Sequence, residues 1–166
     1  MYLRHVIISL AIGFLITPQL FATTGAWAPE GLILLTTTTV ASGVGTTVMI
    51  VTLMDNKHTS LKDAEKAEKL AEIFIRDNSI NIGQNISSGE GKIVNELASA
   101  LEIKPELRLH FGSLLKKQRI DLMSLANIRN LTPKRAGEFI RFVAQLSEND
   151  LELKTSILMF KKKHNI

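Results

Sequence analysis

The chain has 166 residues, a net charge of +4 and no cysteine. The missing cysteine excludes disulfides, thiolate metal sites and a thiol nucleophile, and so small a positive excess does not by itself indicate a nucleic-acid partner. With one Trp, one Tyr and seven Phe, aromatic residues are few, so a core built from Leu, Ile and Ala is expected.

Charge is spread unevenly. Only Arg4 and Glu30 fall in the first 54 residues, leaving 34 of the 36 charged side chains for the remaining 112. The break at Met54/Asp55 predicts an apolar N-terminal third in or through a membrane, followed by a soluble helical domain.

Met1–Ala22 has the layout of a secretory signal: Arg4 and His5, the hydrophobic run Val6–Ile16, then Thr17-Pro18 ahead of small residues. Cleavage after Ala22 is preferred to the Ala26-Trp27-Ala28 site, where Pro29 would follow the scissile bond. The alternative is an uncleaved first membrane helix, since Val6–Ala22 reaches 17 residues, the lower limit of a span. Residues 23–30 read as a short linker.

Gly31–Met54 holds 24 residues without charge, long enough to cross a bilayer as a helix. Ala41, Gly43 and Gly45 would permit close helix packing. Its density of Thr, Val and Ile also favours strands, and Ser42-Gly43-Val44-Gly45 could turn a β-hairpin between Leu32–Ala41 and Thr46–Met54. Length and lack of charge favour the membrane helix; the hairpin stays as its rival, in a membrane or assembly role. If the segment stops transfer, Lys57, Lys62, Lys66 and Lys69 place the C-terminal domain in the cytoplasm by the positive-inside rule. If it does not, that domain is periplasmic or secreted.

Residues 55–166 predict an all-α helical bundle. Thr59 or Ser60 caps a first helix with Asp63 in its opening turn, and Ala64, Ala67, Ala71, Phe74 and Ile75 form its inner stripe. A short helix over Ile80–Ile86 precedes the turn at Gly89-Glu90-Gly91. Lys92–Leu101 turns Ile93, Val94, Leu97, Ala98 and Leu101 inward. Lys104-Pro105-Glu106 restarts a helix running at least to Gln118, continued by Ile120–Ala126 after a bend. Thr132-Pro133 starts another, with Ala136, Phe139, Ile140, Val143 and Leu146 inside, and Glu148–Lys163 closes the chain.

Candidate chemistry is sparse. Gly89-Glu90-Gly91-Lys92 fails as a phosphate loop, because Ile86 and Ile93 stand where that pattern needs Gly and Ser or Thr; a tight positive-φ turn ahead of a helix is the reading, with Glu90 complementing the helix dipole. His5, His58, His110 and His164 lack metal-ligand spacing and read as surface histidines. Glu102 and Glu106 sit about one turn apart without a second pair or a His, as solvated charges do. Asn85-Ile86-Ser87 and Asn130-Leu131-Thr132 fit the glycosylation triplet.

The densest basic region is Lys116, Lys117, Arg119, Arg129, Lys134, Arg135 and Arg141. It reads first as a solvated face, then as a contact for anionic lipid or cell wall, and last as a nucleic-acid surface, since no aromatic is interleaved for stacking. Lys161–Lys163 would add to it.

Gly89-Glu90-Gly91 followed by the helix with Leu97-Ala98-x-x-Leu101 resembles an uncharacterised family of exported proteobacterial proteins. In that family a Gly-rich turn and a Leu-Ala-x-x-Leu helix follow a signal peptide and a small-residue, Thr-rich segment. The likeness spans Phe74–Leu122, with weaker similarity over the Thr-rich stretch; the absent cysteine and the helices after Asn130 depart from it. The resemblance implies an envelope location and carries over neither an activity nor catalytic residues.

The expected function is therefore a non-enzymatic exported or membrane-tethered envelope protein whose helical domain mediates protein interaction or self-association. The alternative is a membrane-anchored adaptor with a cytoplasmic domain that holds an anionic partner, lipid head groups or nucleic acid, through the basic surface. Nucleic acid is the less favoured of these, and no cofactor, metal or small-molecule substrate is expected.

Overall fold

In the computed structural model, which describes residues 43–55 and 58–166, helix α1 spans Gly43–Met54, within the uncharged run. Thr46, Met49, Ile50 and Leu53 are buried on one side of it, the spacing of a helix face. The rival β-hairpin is overturned over Thr46–Met54, the length of its second arm. Strand propensity is a preference for packed, half-buried surfaces, and burial against other helices overrides it. The segment's hydroxyls are also satisfied within a helical fold: Thr52 Oγ1 donates to the Val48 carbonyl at 2.9 Å, and Thr46 Oγ1 to Glu96 Oε1 at 3.0 Å.

Among the described residues no helix is long and apolar enough to cross a membrane. Of the expected span Gly31–Met54, the second half is α1; residues 31–42 lie outside the described residues, as do the signal-like Met1–Ala22 and the linker 23–30.

The following helices are α2 (Leu61–Asp77), α3 (Ser79–Ser88), α4 (Lys92–Ala100), α5 (Arg108–Lys117), α6 (Arg119–Leu125), α7 (Pro133–Asn149) and α8 (Lys154–His164), with single 3₁₀ turns at Pro105–Leu107 and Ile128–Asn130. The described residues are thus all-helical and hold no strand. Ser60 caps α2: its Oγ accepts the Asp63 amide at 3.2 Å and donates to the Asp63 carboxylate at 2.6 Å, satisfying a donor that the helix itself leaves open. Thr132 caps α7 the same way, accepting the Arg135 amide at 3.3 Å, with Pro133 at the first helical position.

α2 and α7 form the most extensive helix pair, and α1 packs on α2, α4 and α7. The charge break at Met54/Asp55 is therefore not a packing break. Small residues are buried on both helices, Ala67 and Ala71 on α2 and Ala136, Gly137 and Ala144 on α7. A methyl group at Gly137 would fall 2.7 Å from Glu68 Cγ, so this glycine makes room for the side chain that reaches across to Arg141.

Ile, Leu and Ala line the core as expected, but its largest members are Phe74, Phe111, Phe139 and Phe160, each essentially without solvent contact. Burying such a ring contributes about 1.5–3 kcal/mol relative to leaving it in water, so few aromatics suffice when four of the five among the described residues sit centrally. α5 ends and α6 begins around Gln118, where the bend is expected. The expected last segment, Glu148 to Lys163, is divided: Asp150 Oδ1 accepts the amides of Glu152 at 3.0 Å and Leu153 at 3.1 Å, an Asx-type turn that stops α7 and starts α8.

Candidate functional site

The turn between α3 and α4 is built as the sequence predicts. Gly89 ends α3 in the left-handed region at φ +81°, and Gly91 precedes α4 at φ +116°, conformations that an L side chain resists. Asn85 completes the turn. Its Oδ1 accepts the Ile93 amide at 2.9 Å, capping α4 from a neighbouring helix, and its carboxamide lies where a Gly91 methyl would be, within 2.6 Å. Asn85 is thus committed to structure and unsuited to carry a glycan; Asn130 is exposed.

A second close approach joins this turn to α5. A Cβ added to Gly112 would collide with the Gly89 carbonyl oxygen, so backbone lies on backbone at that point. Glu90 is exposed beside the turn.

The seven basic residues separate into different roles. Arg141 is half-buried: its Nη2 donates to Glu68 at 2.8 Å and its Nε to the Leu53 carbonyl at 3.4 Å, linking α7 to α2 and to the end of α1. Arg135 donates from Nη2 to the Ser124 carbonyl at 2.5 Å, serving the C-terminal end of α6, where a cation complements the dipole. Lys116, Lys117 and Arg119 stay exposed at the α5–α6 corner, and Arg129 and Lys134 stay exposed around the start of α7. In the chain the two groups are divided by α6, which begins at Arg119.

Each of the three described histidines has a partner; His5 lies outside the described residues. His110 Nε2 lies 2.9 Å from Asp150 and its Nδ1 3.7 Å from Glu152. His164 Nε2 lies 3.3 Å from Glu102, whose carboxylate also takes the Lys163 ammonium at 2.6 Å. Glu102 itself adopts φ +54° where α4 ends, in the place a glycine usually takes. The Lys163 hydrogen bond holds the Glu102 carboxyl below its ordinary range against partial burial. Burial pushes the Asp150 carboxyl up, but the bonds from His110 and from the Leu153 and Glu152 amides together hold it below that range. These pairs join elements far apart in sequence, a role the residue types alone did not signal. His58 sits 3.4 Å from Asp55.

Between α6 and α7 runs a groove of about 540 Å³ floored by Leu125 and Phe142 and edged by Asp121, Ser124, Glu138 and Gln145. Ser124 shares this lining with Asp121 and Glu138, and Arg141, also part of it, is engaged by Glu68 at 2.8 Å. Among the described residues no group of three or more His, Asp or Glu is arranged to hold a metal ion. Comparison with family models, with curated proteins and with solved structures finds no match for this chain.

Proposed function

We propose that the chain is a non-enzymatic envelope protein, brought to or through a membrane by its apolar N-terminal sequence and acting through contacts of its helical body with a protein partner or a second copy. The observation that carries this reading is how the body distributes its side chains. Its half-buried polar groups, Arg141 with Glu68 and His110 with Asp150, fasten helix to helix. Meanwhile Leu61, Ile80, Leu109, Ile120 and Leu151 are each at least three-quarters exposed. Apolar side chains left outside a packed body are available for contact with a partner.

The sequence before α1 supplies the membrane context in this reading, because the buried face of α1 belongs to the body. Met1–Ala22 is then a signal that is removed or a first span that is retained.

The absence of cysteine makes the test clean, since Ser99→Cys on the exposed side of α4 gives a single thiol. A membrane-impermeant maleimide applied to intact bacterial spheroplasts, followed by fractionation and N-terminal sequencing, reads sidedness, retention and cleavage together. The expected result is a labelled protein that is membrane-bound or shortened at its N-terminus. A thiol that reacts only after lysis, in the membrane fraction, selects the cytoplasm-facing adaptor instead. A full-length, unlabelled protein in the cytosolic fraction overturns both.

A further inference from the structure

α8 has two unlike sides. Leu153, Ser156, Ile157 and Phe160 face inward and are buried. Leu151 just ahead of the helix, then Lys154, Thr155, Leu158, Met159 and Lys162, are all exposed and recur at the spacing of one helical face. Leu151 is 90% exposed, Leu158 52% and Met159 59%.

The charge on this side is of one sign. After Glu152 the chain contains four lysines and no Asp or Glu. Two of those lysines are engaged by the body, Lys161 with Glu148 at 2.7 Å and Lys163 with Glu102 at 2.6 Å. The exposed Lys154 and Lys162 form no ion pair among the described residues. Glu152, exposed next to Leu151 ahead of the helix, lies 3.7 Å from His110. An adjacent Leu-Met pair is therefore bracketed along the helix by two lysines, on a helix seated in the core by Phe160.

We infer that the outer face of α8 docks on the headgroup layer of an anionic lipid bilayer, with Leu158 and Met159 entering the interface and Lys154 and Lys162 meeting lipid phosphates. Charge complementarity selects an anionic surface, worth a several-fold gain in affinity for each lysine near such a leaflet. The Leu-Met pair selects lipid over nucleic acid, because a phosphate backbone gives apolar side chains nothing to enter, whereas the interface accepts them while lysine stems reach outward. The inference rests on the membrane-associated reading for its setting, but the two fail separately in the experiment below.

Met159→Cys in the full chain gives a unique thiol at an exposed position, to be labelled with an environment-sensitive nitrobenzoxadiazole dye; Ser99→Cys on α4 serves as the control site. Each labelled chain is floated with phosphatidylcholine vesicles and with vesicles containing phosphatidylglycerol. The expected result is a blue shift and a several-fold brightening at position 159 with the anionic vesicles alone, and no change at position 99. Lys154→Gln with Lys162→Gln lowers the docked-to-undocked ratio by about 30-fold, with an unchanged thermal melt showing that the fold persists.

A chain that floats with both vesicle types while position 159 stays in water overturns the inference and leaves the membrane tether standing. Flotation on anionic vesicles only, with brightening at position 159 and dependence on both lysines, upholds the inference and removes the tether. Flotation with neither overturns both, and a response at position 159 to duplex DNA but not to vesicles overturns the lipid assignment.

Discussion

α1 and α8 have nearly the same length, 12 and 11 residues, and each seats itself by the same device. Thr46, Met49, Ile50 and Leu53 are buried at α1, and Leu153, Ser156, Ile157 and Phe160 at α8, an identical spacing with one small hydroxyl residue in each set. Their remaining surfaces could hardly differ more. α1 has no charged residue, whereas α8 carries Lys154, Lys161, Lys162 and Lys163. Burial therefore follows the one face that meets neighbours and is indifferent to how apolar the rest of the helix is. That indifference makes the uncharged α1 look like part of a membrane span, and it lets α8 turn a Leu-Met pair outward.

The comparison breaks most directly at the buried positions. Phe160→Ala is expected to cost about 3–5 kcal/mol and Leu53→Ala about 2–5 kcal/mol, by lost transfer energy plus the cavity left behind. Both appear as a lower denaturant midpoint with little change in slope. If Leu53→Ala leaves the midpoint unmoved, α1 is not seated as α8 is, and the likeness between them is only one of spacing.

A smaller effect separates the two helices by pH. α8 is held at either end by a carboxylate, Asp150 ahead of it and Glu102 against its last turn, and both carboxyls titrate below their ordinary range. A depressed folded value means that the stabilisation is complete above the unfolded value, near pH 4, and is lost as pH falls through the folded values. Acid should accordingly loosen α8 before α1, read as earlier exchange of α8 amides below about pH 4. Asp150→Asn with Glu102→Gln should lower stability at neutral pH and flatten that acid dependence. An unchanged acid slope in the double variant would show that these contacts do not govern it.

The smallest changes belong on the outer faces. Val48→Ser and Leu158→Ser, at positions 55% and 52% exposed, should shift stability by no more than about 0.5 kcal/mol. A larger loss at Val48 would mean that something covers α1 in the full chain.

Much of the bundle is legible from local chemistry. Ser60, Thr132-Pro133 and the glycines at 89 and 91 announce their turns because each solves a problem that one or two residues can solve alone. The stripes over α2, α4 and α7 are equally visible, since helical spacing belongs to the segment itself. What escapes depends on distant neighbours. Nothing near Thr46 reveals that Glu96 will take its hydroxyl, so the segment's composition points to a membrane or a hairpin. The basic cluster looks continuous because sequence cannot show Arg141 reaching Glu68, or Arg135 reaching the end of α6. The break at Asp150 had a signal in Asn149-Asp150, a pair suited to turns, but it lay inside an otherwise helical stretch. The outer face of α8 was also present in the spacing of Leu151, Leu158 and Met159; only the identity of the buried side shows that it points away from the core.

The contact between Gly89 and Gly112 sets the rotational phase of α5. With one backbone resting on the other, α5 cannot roll about its axis without prising the two apart, and no side chain is present to flex in place of such a movement. Each residue advances an α-helix by roughly 100°, so His110, two positions before Gly112, projects on nearly the opposite side, where Asp150 stands 2.9 Å away. A pair of residues with no side chains thus aims an imidazole at the start of α8, and a single added methyl at Gly112 would throw that aim off along the whole helix.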